Sequence, residues 1–518
     1  MDEAEREGTP REVTARCAAG AFAGTSDDGV RLFAGIRYAQ APVGDARWRD
    51  PRPVSPAEGI VDATRFGAVA PQQVNKAMDL GPDPVMSEDC LFLNVWTPDH
   101  ADGQALPVMV WVHGGAYTFG AGSQPLYDAR RLVASGDVVV VTINYRIGGL
   151  GFLDLSGFGT AGHVFDGNLA LKDVIAALEW VRANIDGFGG DPGRVTAFGE
   201  SAGAGLVTTL LATPRAEGLI HGVIAESSPV SSVYGRERSQ RVADRFLSIL
   251  GEHDPGRLRD VPAERIVDAA ARVFAEIPAV DPGTIAFSPI VDGDLVPEPP
   301  VTVLAEGRGL PVPLLIGTNK DEASFFRFMK SPLLPISDEQ IDRMFADLKV
   351  EDPLLTLPEM EQVRAAYEDT RHRAIGLGIA RDVGFRMPTL WAVEGHARVA
   401  PTYLYRFDHA TPFLRMVGLG ATHGSELPYV WGSVEGATKG PVFRLGGRHA
   451  AQRISHRVMR RWTAFAHGAA PDAPDAVSWP AFDSDRRATL VIDGVDRVVD
   501  DLDATLRAGW GDEVLAFR

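Results

Sequence analysis

Cysteine is almost absent, with only Cys17 and Cys90 in 518 residues. Two thiols cannot build a disulfide framework, and so low a count suits a reducing cytoplasm. Lysine is scarce too, with six against forty-five arginines, and alanine, glycine and aspartate are abundant, as expected of a high-GC bacterial genome. Positive charge is in deficit. The net charge of −18 argues against a nucleic-acid partner. Long apolar runs are missing as well. The long uncharged stretch Gln104 to Tyr127 contains six glycines or prolines plus His113, so no membrane partner is expected. The first sixteen residues are charged and lack an apolar core, so no signal peptide and a cytoplasmic location are expected. No period of 20–50 residues repeats. What remains, 45% hydrophobic and 23% charged residues, is the composition of a folded globular chain.

Short β-branched runs alternate with helical patterns. Val30 to Tyr38 alternates weakly and reads as edge strands. Leu106–Val112 and Val138–Ile143 are continuous apolar runs, the pattern of strands covered on both faces of a parallel sheet. Asn168 to Ile185 carries Leu171, Val174, Ile175, Leu178 and Val181 at helical spacing, with Gly187, Gly189 and Gly190 to stop it. Arg194–Phe198 reads as a strand, Ala202–Leu211 as a helix, and Val223–Ala225 and Leu314–Ile316 as further strands. Between Asp321 and Ala400 the pattern changes to consecutive helices, including Ser337–Leu348. Thr402–Phe407 and a helix over Ala450–His467 restore the earlier rhythm. The expectation is one α/β domain over 1–518, a mostly parallel sheet with helices on both faces and a helical insertion at about 321–400.

The sharpest motif is Gly199-Glu200-Ser201-Ala202-Gly203, between a predicted strand and a predicted helix. In a nucleophile elbow the glycines permit a tight turn that pushes a serine Oγ out at the sheet's carboxyl edge. The following helix aims its first amides at the same spot. Half of an oxyanion hole would then be the Ala202 amide. The other half belongs on an earlier glycine-rich loop, and His113-Gly114-Gly115-Ala116 follows the Leu106–Val112 strand directly. Taken alone, that loop is equally well a plain strand-ending turn; paired with the elbow, it is not.

At this point the chain resembles the type-B carboxylesterases, a branch of the α/β-hydrolases that includes bacterial para-nitrobenzyl esterases, liver carboxylesterases and cholinesterases. Four segments carry the resemblance in order: Phe33–Pro51, Ser87–Pro98 with SEDCLFLNVWTP, Phe188–Ala204 with FGGDPGRVTAFGESAGA, and Trp462–Asp472 followed by Trp479-Pro480-Ala481-Phe482. The resemblance implies a serine esterase that uses no metal or cofactor and acts on a small-molecule ester, as a monomer or small homo-oligomer. It places the triad acid at Glu322 in GTNKDEASFF and the base at His423 in ATHGSELPYVWG. Asp321 is the rival carboxylate. Chain order of serine, acid and histidine leaves the histidines after Glu322. His449 and His456 fall in a predicted helix, and His372, His396, His409 and His467 lack a glycine-bearing loop. The metal signatures H-E-x-x-H and C-x-x-C are absent.

The resemblance also implies an oxyanion hole from Gly114, Gly115, Ala116 and Ala202, and supporting roles for Glu200, beside the nucleophile, and Ser227. Arg47 and Glu88 match a family ion pair. The pattern Gly114-Gly115-Ala116-Tyr117 is the one that in this family accompanies hydrolysis of bulky tertiary-alcohol esters. Two departures stand out. The stretch Val69-Ala70-Pro71-Gln72 has no cysteine to pair with Cys90, and Gln72–Ser87 lacks the tryptophan with which cholinesterases meet a quaternary ammonium. Choline esters are therefore not expected. A different class, a non-catalytic binding module on the same fold, would have lost the nucleophile, and Ser201 is present. Carbamate and amide hydrolysis use the same machinery and stay open at this stage.

Overall fold

The computed structural model describes residues 11–74, 78–367, 375–434, 441–511 and 513–516. A single large sheet organises them. Its strands are β1 (Arg11–Cys17), β2 (Gly20–Asp27), β3 (Val30–Arg37), β4 (Ile60–Asp62), β5 (Phe92–Pro98), β6 (Leu106–Val112), β7 (Val139–Ile143), β8 (Gly190–Glu200) and β9 (Gly222–Glu226). A separate two-stranded pair follows, β10 (Tyr234–Gly235) with β11 (Ile290–Val291). The large sheet continues with β12 (Leu314–Asn319), β13 (Thr402–Phe407), β14 (Thr489–Ile492) and β15 (Arg497–Val499). The spatial order is β1-β2-β3-β5-β7-β6-β8-β9-β12-β13-β14-β15, with β4 beside β2. From β7 to β14 every pairing is parallel. The flanks are antiparallel, apart from β4, which runs parallel to β2.

The centre shows why its strands do not alternate in polarity. In β6, Val108, Val110 and Val112 pack into one hydrophobic cluster with the helices Leu169–Asn184 and Ala202–Leu211. Met109 and Trp111 point the other way, against Ile454, Val458 and Trp462 of the helix Arg448–Ala466. Both faces are dry, so every position along the strand is apolar. Trp111, Phe198 and Trp431 meet with ring centroids 4.8–5.6 Å apart.

One expectation is corrected. Val30–Arg37 is not an edge strand but lies between β2 and β5, because residues 11–27 add a hairpin outside it. The signal was present in Asp28-Gly29, a two-residue connection with both residues at positive φ (49° and 79°), the geometry that hairpins favour. Helical matter is also more widespread than expected. Helices Arg236–Leu250 and Ala263–Val280 precede β12, in addition to those between β12 and β13.

Candidate active site

Ser201 sits between β8 and the helix Ala202–Leu211, at φ 55° and ψ −122°, a backbone conformation that a side-chain-bearing residue adopts only under constraint. The constraint is the close approach of helix, β8 and β6. A Cβ at Gly203 would collide with the Val112 carbonyl, and one at Gly199 would come within 2.7 Å of it. The Ser201 N–H is held by the carbonyl of Glu226 at 2.9 Å.

Glu322 and His423 arrive from the next strands. Glu322 follows β12, and His423 lies on the loop after β13 and the short helix Pro412–Met416. His423 Nε2 is 2.8 Å from Ser201 Oγ, and its Nδ1 is 2.7 Å from Glu322 Oε2. The other oxygen of Glu322 accepts from Ser227 Oγ at 2.6 Å and from the Asn319 backbone N–H at 2.7 Å. Glu322 is wholly buried. The rival Asp321 points elsewhere and accepts the Ala421 N–H at 3.0 Å. Together with Ser324 Oγ, which donates to the Leu419 carbonyl at 2.6 Å, it ties the two loops together.

The competing histidines have other partners. His396 Nε2 lies 2.9 Å from the Val312 carbonyl, His409 Nδ1 faces Asp493, and His467 Nε2 lies 2.8 Å from the Gly136 carbonyl. His449 and His456 are exposed, and His372 lies outside the described residues.

On the other side of Ser201, the loop after β6 runs through Gly115 (φ 119°), Ala116 (φ 51°) and Tyr117 (φ 60°). A Cβ on Gly115 would strike the Phe119 carbonyl, and one on Gly114 would strike Glu200. The loop is pinned beneath by His113. Its ring stacks on Tyr145 with centroids 4.4 Å apart, and its Nδ1 lies 2.8 Å from the Gly114 carbonyl. Burial pulls the His113 imidazole down to about 4, so it is neutral. Among the described residues, the amides of Gly115, Ala116 and Ala202 have no backbone acceptor.

The electrostatics hold a feature that sequence reasoning missed. Glu200, Glu322 and Glu426 are buried and act on the His423 imidazole, and Glu226 is buried near Glu426 and Glu200. Glu200 Oε1 lies 3.3 Å from His423 Nε2. Glu426 accepts from Asn319 Nδ2, and Glu226 accepts the Trp462 indole N–H at 2.7 Å. Burial pushes Glu200, Glu226 and Glu426 upward, and their mutual repulsion adds to it. Burial pulls His423 down, but Glu200, Glu322 and Glu426 outweigh it and hold the imidazole above its usual range. The available signal was an acid set into apolar sequence, as in Val223-Ile224-Ala225-Glu226 and Glu426-Leu427-Pro428-Tyr429.

Above His423 the wall is apolar. Phe326 and Phe385 lie 5.0 and 4.9 Å from its ring centroid, in a cluster with Leu333 and Leu334, and Ala116 packs against that cluster. Arg47 and Glu88 form a buried double-contact ion pair away from the site, at 2.7 and 2.5 Å. Cys17 and Cys90 are both free.

A parallel sheet with a serine elbow after β8, an acid after β12 and a histidine after β13 is the α/β-hydrolase fold. The carboxylesterase family model matches residues 10–505. The para-nitrobenzyl esterase of Bacillus subtilis (strain 168) is 37% identical over 92% of this chain and 93% of its own length. The phenmedipham hydrolase of Pseudarthrobacter oxydans is 31% identical over 92% and 94%. Among solved structures, a thermophilic PNB esterase superposes with a TM-score of 0.83 at 36% identity, covering 96% of this chain and 99% of that one. The chain belongs to the carboxylesterase family, and it is a carboxylic ester hydrolase.

Proposed function

We propose that Ser201 is the nucleophile of this hydrolase, His423 its general base and acid, and Glu322 the group that orients the imidazole. The observation that carries this reading is the unbroken relay of 2.8 and 2.7 Å through His423. His423 Nε2 takes the Ser201 proton as Oγ attacks the ester carbonyl, while Glu322 holds the proton on Nδ1 and offsets the imidazolium charge. The tetrahedral oxyanion accepts from the amides of Gly115, Ala116 and Ala202, each worth about 3–4 kcal/mol in comparable sites. His423 then protonates the leaving alkoxide, and water reverses the sequence on the acyl-enzyme. Ser227 and Asn319 fix Glu322, and Glu200 sets the charge felt by His423.

The substrates this site favours are small, uncharged esters, since Phe326, Phe385, Leu333 and Leu334 offer no polar partner. Bulky tertiary alkoxides fit as well. Gly115 and Ala116 carry almost no side chain on the Ser201 side, so a branched alcohol can approach without displacing the acyl carbon, where an error near 1 Å can cost about a hundredfold. The enzyme acts in the cytoplasm, as a monomer or small homo-oligomer, without a cofactor. The test is Ser201→Ala assayed on para-nitrophenyl acetate. Turnover is expected to fall by about four orders of magnitude or more with the fold intact. Retention of a tenth of the wild-type rate, with contamination excluded, would remove Ser201 from the mechanism.

A further inference from the structure

The surface beside the site departs from the rest of the molecule in charge. The chain carries −18 overall, yet Ala323–Ser337, His409–Ser425 and Val442–Pro471 contain no aspartate or glutamate. The three segments are neighbours. Ser324 Oγ donates to the Leu419 carbonyl, Thr411 Oγ1 donates to the Val442 carbonyl at 2.9 Å, and Gly447 packs on Pro412. Two of them also carry or adjoin the site: the first begins beside Glu322, and the second contains His423.

Along these segments Arg327, Lys330, Arg415 and Arg444 are exposed and, among the described residues, form no ion pair. Elsewhere ion-paired arginines are common, as at Arg308, Arg386 and Arg507. Large apolar side chains stand among the four cations: Phe328 is 64% exposed, Met329 44%, Met416 65%, Val417 40% and Leu445 51%. The opposite lip is different. Met78 lies against Gly115, and its neighbours Asp79 and Asp83 are exposed acids. Glu435 and Lys439 lie outside the described residues.

Water-exposed apolar side chains interleaved with unneutralised cations are the composition of a surface that lies on an anionic lipid interface, the cations meeting headgroups and the apolar groups entering the acyl boundary. We propose that this rim docks the enzyme on negatively charged lipid surfaces, so that apolar esters dissolved there enter the site beside His423. The occupant is an anionic bilayer because the lip is cationic where the chain as a whole carries −18. Among the described residues no helix is long and apolar enough to cross a membrane, so the contact is peripheral. The proposal rests on the site described above for its substrate but not for its binding.

Binding is therefore measured apart from hydrolysis, by co-sedimentation of the full-length Ser201→Ala protein with vesicles of phosphatidylglycerol and phosphatidylcholine. The expected result is binding to the mixed vesicles, little to phosphatidylcholine alone, and release at about 0.5 M salt. Arg327→Glu/Lys330→Glu/Arg415→Glu is expected to weaken binding at least about tenfold. Phe328→Ser/Met416→Ser is expected to weaken it as well. Both sets, placed in the active enzyme, are expected to leave turnover of soluble para-nitrophenyl acetate within about twofold, since none touches Ser201, Glu322 or His423. Absence of binding, equal binding to neutral vesicles, or binding unchanged by charge reversal would each overturn the proposal. So would a dimer in solution that Phe328→Ser/Met416→Ser dissociates, which would make the rim an interface between copies. Loss of hydrolysis in Ser201→Ala with vesicle binding retained separates the two readings.

Discussion

Around Ser201 the chain presents backbone, and around His423 it presents carboxyl groups. The elbow and the Gly114–Ala116 loop work through what they lack: at Gly115 and Gly203 a single added carbon would meet a carbonyl. The His423 side is built on what it buries, three glutamates that act on one imidazole. The two halves are therefore vulnerable to different changes. Volume breaks the first, and charge retunes the second.

The largest break is expected on the acid–base side. His423→Ala should lower kcat by about four to six orders of magnitude. Glu322→Ala added to it should cost little more, because relay members act as one unit. A full second loss on combining them, read by single-turnover kinetics, would mean that Glu322 acts separately from His423.

Volume on the backbone side comes next. Ala116→Val places a branched side chain at φ 51° on the loop whose Gly114 lies against Ser201. Turnover of tert-butyl acetate should fall at least about tenfold further than that of ethyl acetate, since a misplaced acyl carbon loses rate steeply. Equal losses on the two esters would mean that the oxyanion hole was damaged and that room for the alcohol is not set there.

Charge gives a smaller and directional effect. Glu200, Glu322 and Glu426 hold His423 above its ordinary value near 6.5. The base must be neutral, so kcat/KM should rise with pH through a limb above that value. Glu426→Gln removes one negative neighbour, lowers the imidazole and moves the limb to lower pH, and Glu200→Gln moves it further. A limb unmoved by both would mean that the carboxyl cluster is silent. Smallest of all, Asp321→Asn keeps the side chain that receives the Ala421 N–H and should change kcat by only a few-fold. A loss comparable to that in Glu322→Ala would restore Asp321 as the acid.

The same contrast explains what the sequence made legible. Gly199-Glu200-Ser201-Ala202-Gly203 could be read because backbone constraints are local and leave glycine at fixed spacing. The central strands could be read because burial on both faces removes polarity from Leu106–Val112. The outer hairpin before Val30 was missed, since its half-exposed strands imprint a weaker pattern and only Asp28-Gly29 marked the turn. Glu226, Glu426 and Asn319 were missed for a different reason. Asn319 and Glu426 each lie three residues from Glu322 or His423, but the meeting of Asn319 Nδ2 with Glu426, and the burial of Glu226 near Glu426 and Glu200, arise only when β8, β9, β12 and the loop after β13 are brought together. Glu322 rested on resemblance, and His423 on resemblance together with chain order and the glycine beside it, because an acid and a histidine about a hundred residues apart share no local pattern.

Covalent labelling asks the nucleophile to identify itself, and Ser201 sits where it can be read. Trypsin should release Val195–Arg215 as one peptide in which Ser201 is the only serine. Reaction with a serine-directed organophosphate is expected to leave one phosphoryl adduct per chain, on that peptide, with activity lost in step with labelling. An adduct on any other peptide, or full activity after complete labelling of Ser201, would contradict it.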